Sequence, residues 1–170
     1  MNSPEKSYIA EASTPVGSNL GDLSDMLRSI FSMQTALNDH VFKKNGIRDN
    51  EGNPLTMKSI ALQIENGGLS VNELPNQWLA RYAKAMEEEL GELKEDLLWK
   101  WWSKDKIDLQ NIRVELVDLL HFLISAMLCA GLTPEKLLDV YRQKHAINIA
   151  RQDSGYNREN KTEDDNRTIE

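Results

Sequence analysis

The sequence has one cysteine, Cys129, so no internal disulfide can form. Cys129 sits in an apolar run, which reads as a small core residue rather than a nucleophile, and a lone thiol fits a reducing cytoplasm. Proline and phenylalanine are scarce, at five and three in 170 residues. Helix breakers are therefore few, and Leu, Ala, Met, Glu and Lys fill the periodic stretches, a mix that favours helices. Positive charge is in deficit: 20 Lys and Arg against 27 Asp and Glu give a net charge of -7. A general nucleic-acid-binding surface needs the opposite balance, though a local basic pocket for phosphate remains compatible. Long apolar runs are lacking too. The most apolar stretch, 116–132, contains Asp118 and His121 and is short for a membrane span. The first residues carry no signal-peptide pattern. The expectation is a soluble, cytoplasmic chain of one domain.

Residues 1–19 are rich in Ser, Pro, Gly and Asn without hydrophobic period and read as a flexible arm. Residues 157–170 are charged and read as a disordered tail. Between them, 20–156 form the folded domain. A helical pattern runs from Gly21 to Lys43, with Leu23, Leu27, Ile30, Leu37 and Val41 as its stripe. Gln34 falls on that stripe, where an apolar residue is expected, and Asn38 follows at i+4. In 44–75, Gly46, Asp49, Asn50, Gly52, Asn53 and Pro54 mark turns, and only a weak helical piece fits 56–65. A strong helix then spans Gln77 to Leu98, striped by Leu79, Tyr82, Met86, Leu90, Leu93 and Leu97. Another runs from Asp108 to Ala130, stopped by Gly131. Thr133-Pro134-Glu135 opens a last helix that continues to Gln152. Four helices joined by loops make an all-α bundle.

Glu89 and Glu92 lie three apart and so project from one helix face; Glu115 and Asp118 repeat the spacing on the next helix. An E-x-x-E match inside the acidic run 87–95 is usually a solvated face. Asp118 is the sharper anomaly, because Leu116, Val117, Leu119, Leu120, Phe122 and Leu123 surround it. A carboxylate taken from water without a partner costs several kcal/mol. Four facing one another need a cation, and a hard ion with oxygen ligands fits: Mg²⁺, with Mn²⁺ able to substitute. Asp118 and His121 also echo the carboxylate-x-x-His element of di-iron bundles, but no second such element is present. His121 reads instead as a core or supporting histidine.

On the last helix Lys144, Asn148 and Arg151 form one stripe at i, i+4 and i+7, ending near Gly155-Tyr156. Opposite a metal site, such a stripe suits the remaining charge of a triphosphate, with Lys100 and Lys104 in support. Gln34 and Asn38 offer the donor-and-acceptor edge that a pyrimidine requires. Trp78 or Trp102 could stack on a base, although packing is the commoner role.

These elements resemble the dimeric dUTPase family of all-α nucleoside triphosphate pyrophosphatases (MazG-like). The resemblance rests on Gln34-x-x-x-Asn38, Glu89-Leu-Gly-Glu92, Trp99-Lys-Trp-Trp102, Glu115-Leu-Val-Asp118-Leu-Leu-His-Phe122 and Lys144-x-x-x-Asn148-x-x-Arg151-Gln-Asp-x-Gly-Tyr156. It implies hydrolysis of dUTP, and often dUDP, to dUMP; the chemistry expected is attack of a metal-activated water on the α-phosphate, expelling pyrophosphate. It also implies that Glu89, Glu92, Glu115 and Asp118 bind Mg²⁺; of these, Glu92, or else Glu89, is expected to serve as general base. Lys100, Lys144, Asn148, Arg151 and Tyr156 then hold phosphate and sugar, and Gln34 and Asn38 approach the base. A homodimer is expected, in keeping with the wide apolar surface of 108–132. Residues 43–75 depart from the family pattern, so a dCTP pyrophosphatase is the nearest alternative, and a helical interaction module without chemistry is the competing class.

Overall fold

Capping chemistry sets the helix boundaries. The computed structural model describes residues 20–65, 73–155 and 164–169. It is all-α, with helices α1 (Leu20–Lys44), α2 (Met57–Glu65), α3 (Leu74–Asp96), α4 (Leu109–Cys129) and α5 (Pro134–Asp153). Among the described residues there is no strand, and no single helix is long and apolar enough to cross a membrane. At the start of α4 the Asp108 carboxylate accepts from Asn111 N at 3.1 Å. At its end Leu132 N bonds Met127 O at 2.9 Å and Gly131 N bonds Leu128 O at 3.1 Å, a Schellman turn with Gly131 at φ 74°. A side chain at Gly131 would be strained and would also crowd Ile64 Cγ2 at 3.3 Å. Thr133 then caps α5, its hydroxyl accepting from Lys136 N at 3.2 Å.

The weak piece expected over 56–65 is a full helix, which neighbours stabilise more than its own periodicity does. Asp39 of α1 accepts from Met57 N at 2.7 Å, and Thr56 and Ser59 bond each other's backbone N–H at 3.0 Å. Met57 and Ile60 are buried. Likewise α3 starts at Leu74 rather than Gln77, because Pro75 serves its first turn and is itself buried.

The core gathers Phe42, Leu55, Met57, Ile60, Leu74, Tyr82, Ala126 and Cys129, with Trp78, Met86 and Phe122 packed against it. Trp78 is held on two sides, by Phe42 with ring centroids 4.6 Å apart and by the Arg81 guanidinium at 4.5 Å. Cys129 is deeply buried, and removal from water pushes its thiol up to about 12. It is expected to resist thiol reagents in native buffer and to react only as the chain unfolds, which a reagent titration against denaturant measures.

The apolar stripe expected on α1 is not its innermost face. Phe31, Gln34, Asn38 and Phe42 are buried, while Leu37 and Val41 stay 46% and 45% exposed. Leu23 has a side chain outside the described residues. The cause lies on α4, whose Ser125 presents a hydroxyl to the two amides and turns them inward. On α3, similarly, Tyr82 and Leu93 are buried whereas Leu79, Leu90 and Leu97 are not.

The pair α3–α4 forms the most extensive contact; α1 crosses α4, and α2 braces α3 and α4. The α5 axis leaves α4 at a bend of 100°, and its main neighbour is α1. Not one α5 residue is buried. The arm 1–19 lies outside the described residues. Within the tail read as disordered, Asp164–Thr168 forms a short 3-10 helix, and Asn166 accepts a hydrogen bond from the Lys144 ammonium.

Candidate active site

The close packing of α3 along α4 brings the carboxylates together. Side-chain oxygens of Glu89, Glu92 and Glu115 all lie within 4.8 Å of one another. Glu115 is buried, Glu89 half-buried and Glu92 exposed. Asp118 stands just outside that group, yet its charge helps to raise both Glu89 and Glu115. It is half-buried, less enclosed than its apolar neighbours in sequence suggest. Those neighbours, Leu116, Val117, Leu120 and Leu123, are 40–51% exposed.

Two residues that sequence reading missed join the cluster. The Asn111 amide donates to Asp96 at 2.5 Å and to Glu115 at 3.2 Å, tying the end of α3 to the start of α4. Asp96 also adds its charge to Glu115. The signal was present in the spacing, since Asp96 is four residues after Glu92 and Asn111 four before Glu115.

Electrostatics shows what the cluster lacks. Glu89 and Glu115 are each held above the usual carboxylate range, first by removal from water and then by neighbouring negative charge. Every charged group that perturbs them is another carboxylate. Between the ordinary and the raised value the folded chain carries more protons than the unfolded one. Without a cation, stability therefore falls as pH rises through that window and levels off above it. Oxygen donors converging without a counter-charge fit a hard divalent cation, so Glu89, Glu92 and Glu115 could hold a metal ion. Glu89→Gln is expected to raise the metal-free melting temperature at neutral pH by a few degrees and to abolish stabilisation by Mg²⁺, as calorimetry would show. A lower melting temperature would contradict the repulsion.

The amides Gln34 and Asn38 are 4% and 6% exposed and form a closed network. Gln34 Nε2 donates to Ser125 Oγ at 2.9 Å and to Asn38 Oδ1 at 3.1 Å, while Asn38 Nδ2 donates to Ser125 at 3.0 Å. The Ser125 hydroxyl in turn donates to His121 O at 2.9 Å. Gln34 Oε1 can only accept, so the His121 Nδ1 at 2.5 Å carries the proton in this arrangement. His121 is exposed rather than in the core, and it turns to Gln34 of α1, whereas Asp118 acts by its charge on Glu89 and Glu115. That divergence removes the carboxylate-x-x-His reading. Gln34 and His121 line an apolar groove of about 370 Å³ between α1 and α4, walled by Ile30, Leu37, Val117 and Leu120.

The cationic residues are dispersed. Lys100 lies four residues beyond Asp96 with its ammonium 5.5 Å over the Trp99 ring, in a loop where Trp99, Trp101 and Trp102 are all well exposed. Lys144 and Arg151 are half-buried on α5 and Asn148 is exposed. Tyr156 lies outside the described residues. The α5 stripe does not join the acids within one chain. Asp118 precedes the end of α4 by about 16 Å of helix, and Arg151 follows the start of α5 by about 26 Å.

A family model described as dUTPase matches residues 26–130, which takes in α1 to α4 and leaves out α5. The dCTP pyrophosphatase of Enterobacteria phage T4 is 28% identical over 94 residues, covering 55% of this chain and 48% of that protein. The dCTP pyrophosphatase of Enterobacteria phage LZ5 is 32% identical over 79 residues, or 39% of this chain and 46% of that one. A DNA replication protein of phage T4 is 25% identical over 89 residues, 51% of this chain and 20% of its own length. The chain thus spans about half the length of the dCTP pyrophosphatases it matches. No solved structure matches. With the family match covering well over half of the sequence, the chain belongs to the dUTPase family.

Proposed function

We propose that the chain is a nucleoside triphosphate pyrophosphohydrolase that cleaves dUTP, and with it dUDP, to dUMP. One observation carries this reading: three glutamates converge within 4.8 Å on adjoining helices, inside the region that the dUTPase family model matches. Bound Mg²⁺ would supply Lewis-acid activation of water and neutralise charge on the phosphates. Glu89, Glu92, Glu115 and Asp118 would hold the ion. Glu92, the exposed member, would take a proton from the attacking water as general base. The base would enter the α1–α4 groove, where Gln34, braced from behind by the buried Asn38, would read its edge and Val117 and Leu120 would cover its faces. Lys100, Lys144, Asn148, Arg151 and Tyr156 would bind phosphate and sugar. The enzyme works as a homodimer in the cytoplasm, where its one thiol stays reduced.

The two phage relatives favour a second reading, in which dCTP is the substrate. Pyrophosphate release measured across dUTP and the canonical dNTPs with Mg²⁺ separates the two. Fastest release from dUTP supports the first reading and fastest release from dCTP the second. No release from any nucleotide rejects both and leaves an interaction module.

A further inference from the structure

We propose that the tail is an autoinhibitory strap: its 3-10 helix occupies Lys144 of α5 and leaves when the phosphates of a nucleotide take its place. The inference rests on the proposed pyrophosphohydrolase reading, in which Lys144 holds phosphate, and goes beyond it.

Three observations carry it. The first is contact. The Lys144 ammonium donates to the side-chain oxygen of Asn166, a partner 22 residues away. Asn166 stands on the helix Asp164–Thr168, whose last turn is closed by Ile169 N bonding Asn166 O at 3.3 Å. Ile169 itself is half-buried, as befits a segment that is held.

The second observation is charge. Glu163, Asp164 and Asp165 immediately precede Asn166, three acids in succession. On a 3-10 helix the backbone stations of Asp164 and Asp165 are only about 2–4 Å of rise from Asn166. That is well inside the screening length of about 8 Å in physiological salt. The strap therefore brings to Lys144 what a phosphate brings, an acceptor oxygen backed by negative charge. An incoming triphosphate has the same sign as the strap, so the two repel and do not share the ammonium.

The third is the chemistry of the anchor. Asn166 offers a neutral amide oxygen, whereas a phosphate oxygen pairs with the ammonium as an ion. The anchor is thus the weaker partner, and substrate can displace it. A docked strap withholds the site from part of the population, which raises KM and leaves kcat at saturation unchanged.

Steady-state kinetics of variants of the whole chain test this. Asn166→Ala removes the anchor and is expected to lower KM for the nucleotide about 2- to 10-fold with kcat unchanged. Asn166→Asp offers Lys144 a carboxylate and is expected to raise KM by about twofold or more. A KM that is unchanged or higher in Asn166→Ala, or unchanged or lower in Asn166→Asp, overturns the strap and leaves a surface contact alone. Isothermal titration with inorganic pyrophosphate needs no turnover. It is expected to show tighter binding to Asn166→Ala than to wild type, and weaker binding to Asn166→Asp. Equal affinities, or the reverse order, overturn the proposal. If the wild-type chain cleaves no nucleotide, the functional reading fails and the pyrophosphate titration alone decides this one.

Discussion

Glu92→Gln is expected to lower kcat by at least about a hundredfold while leaving the helical fold intact. Loss of an outer partner of a metal site already costs about 10- to 100-fold, and loss of a ligand or general base costs no less. Glu92 is exposed and makes none of the hydrogen bonds that tie α3 to α4, so the substitution removes chemistry without removing packing. Asp118→Asn is expected to act in the same direction, because its charge contributes to the field on Glu89 and Glu115. Steady-state kinetics with circular dichroism separate catalysis from folding. Wild-type turnover in both variants would sink the metal site.

Ser125→Ala is expected to produce the largest loss of stability. One hydroxyl, with no exposed surface, accepts from the amides of Gln34 and Asn38. Its removal leaves two buried donors short of a partner, at about 1–3 kcal/mol each. In a chain of this size that corresponds to a fall in melting temperature of roughly 5–20 °C. The same variant frees the amides to rotate, so KM for the nucleotide is expected to rise more than kcat falls. A melting temperature within about 1 °C of wild type would show that Ser125 is not the keystone of the network.

How far these features were legible differs from residue to residue. Caps were readable because they are local: Asp108, Gly131 and Thr133 each act within a few residues of themselves. The spacing of Glu89, Glu92 and Glu115 was readable because the helical period alone sets a shared face. Asp118 was over-read. Its apolar neighbours imply burial only if some element covers them, and among the described residues Leu116, Val117 and Leu120 stay 42–51% exposed. Glu115 proves the more enclosed of the pair.

What depends on distant contacts stayed hidden. Gln34 and Asn38 stood out as amides on an apolar stripe, but their partner Ser125 is about 90 residues away and gives no local signal. The helix α2 owes its start to Asp39 on another helix. The stripe on α5 was placed opposite the acids on the strength of order and spacing, neither of which encodes the 100° turn at Gly131.

The most direct test of the central claim is hydrolysis of dUTP and dCTP in ¹⁸O-water with and without Mg²⁺, read by mass spectrometry. Attack at the α-phosphate predicts labelled nucleoside monophosphate and unlabelled pyrophosphate, formed only when Mg²⁺ is present. Label in the pyrophosphate, release of a nucleoside diphosphate with inorganic phosphate, or no turnover at all would contradict it.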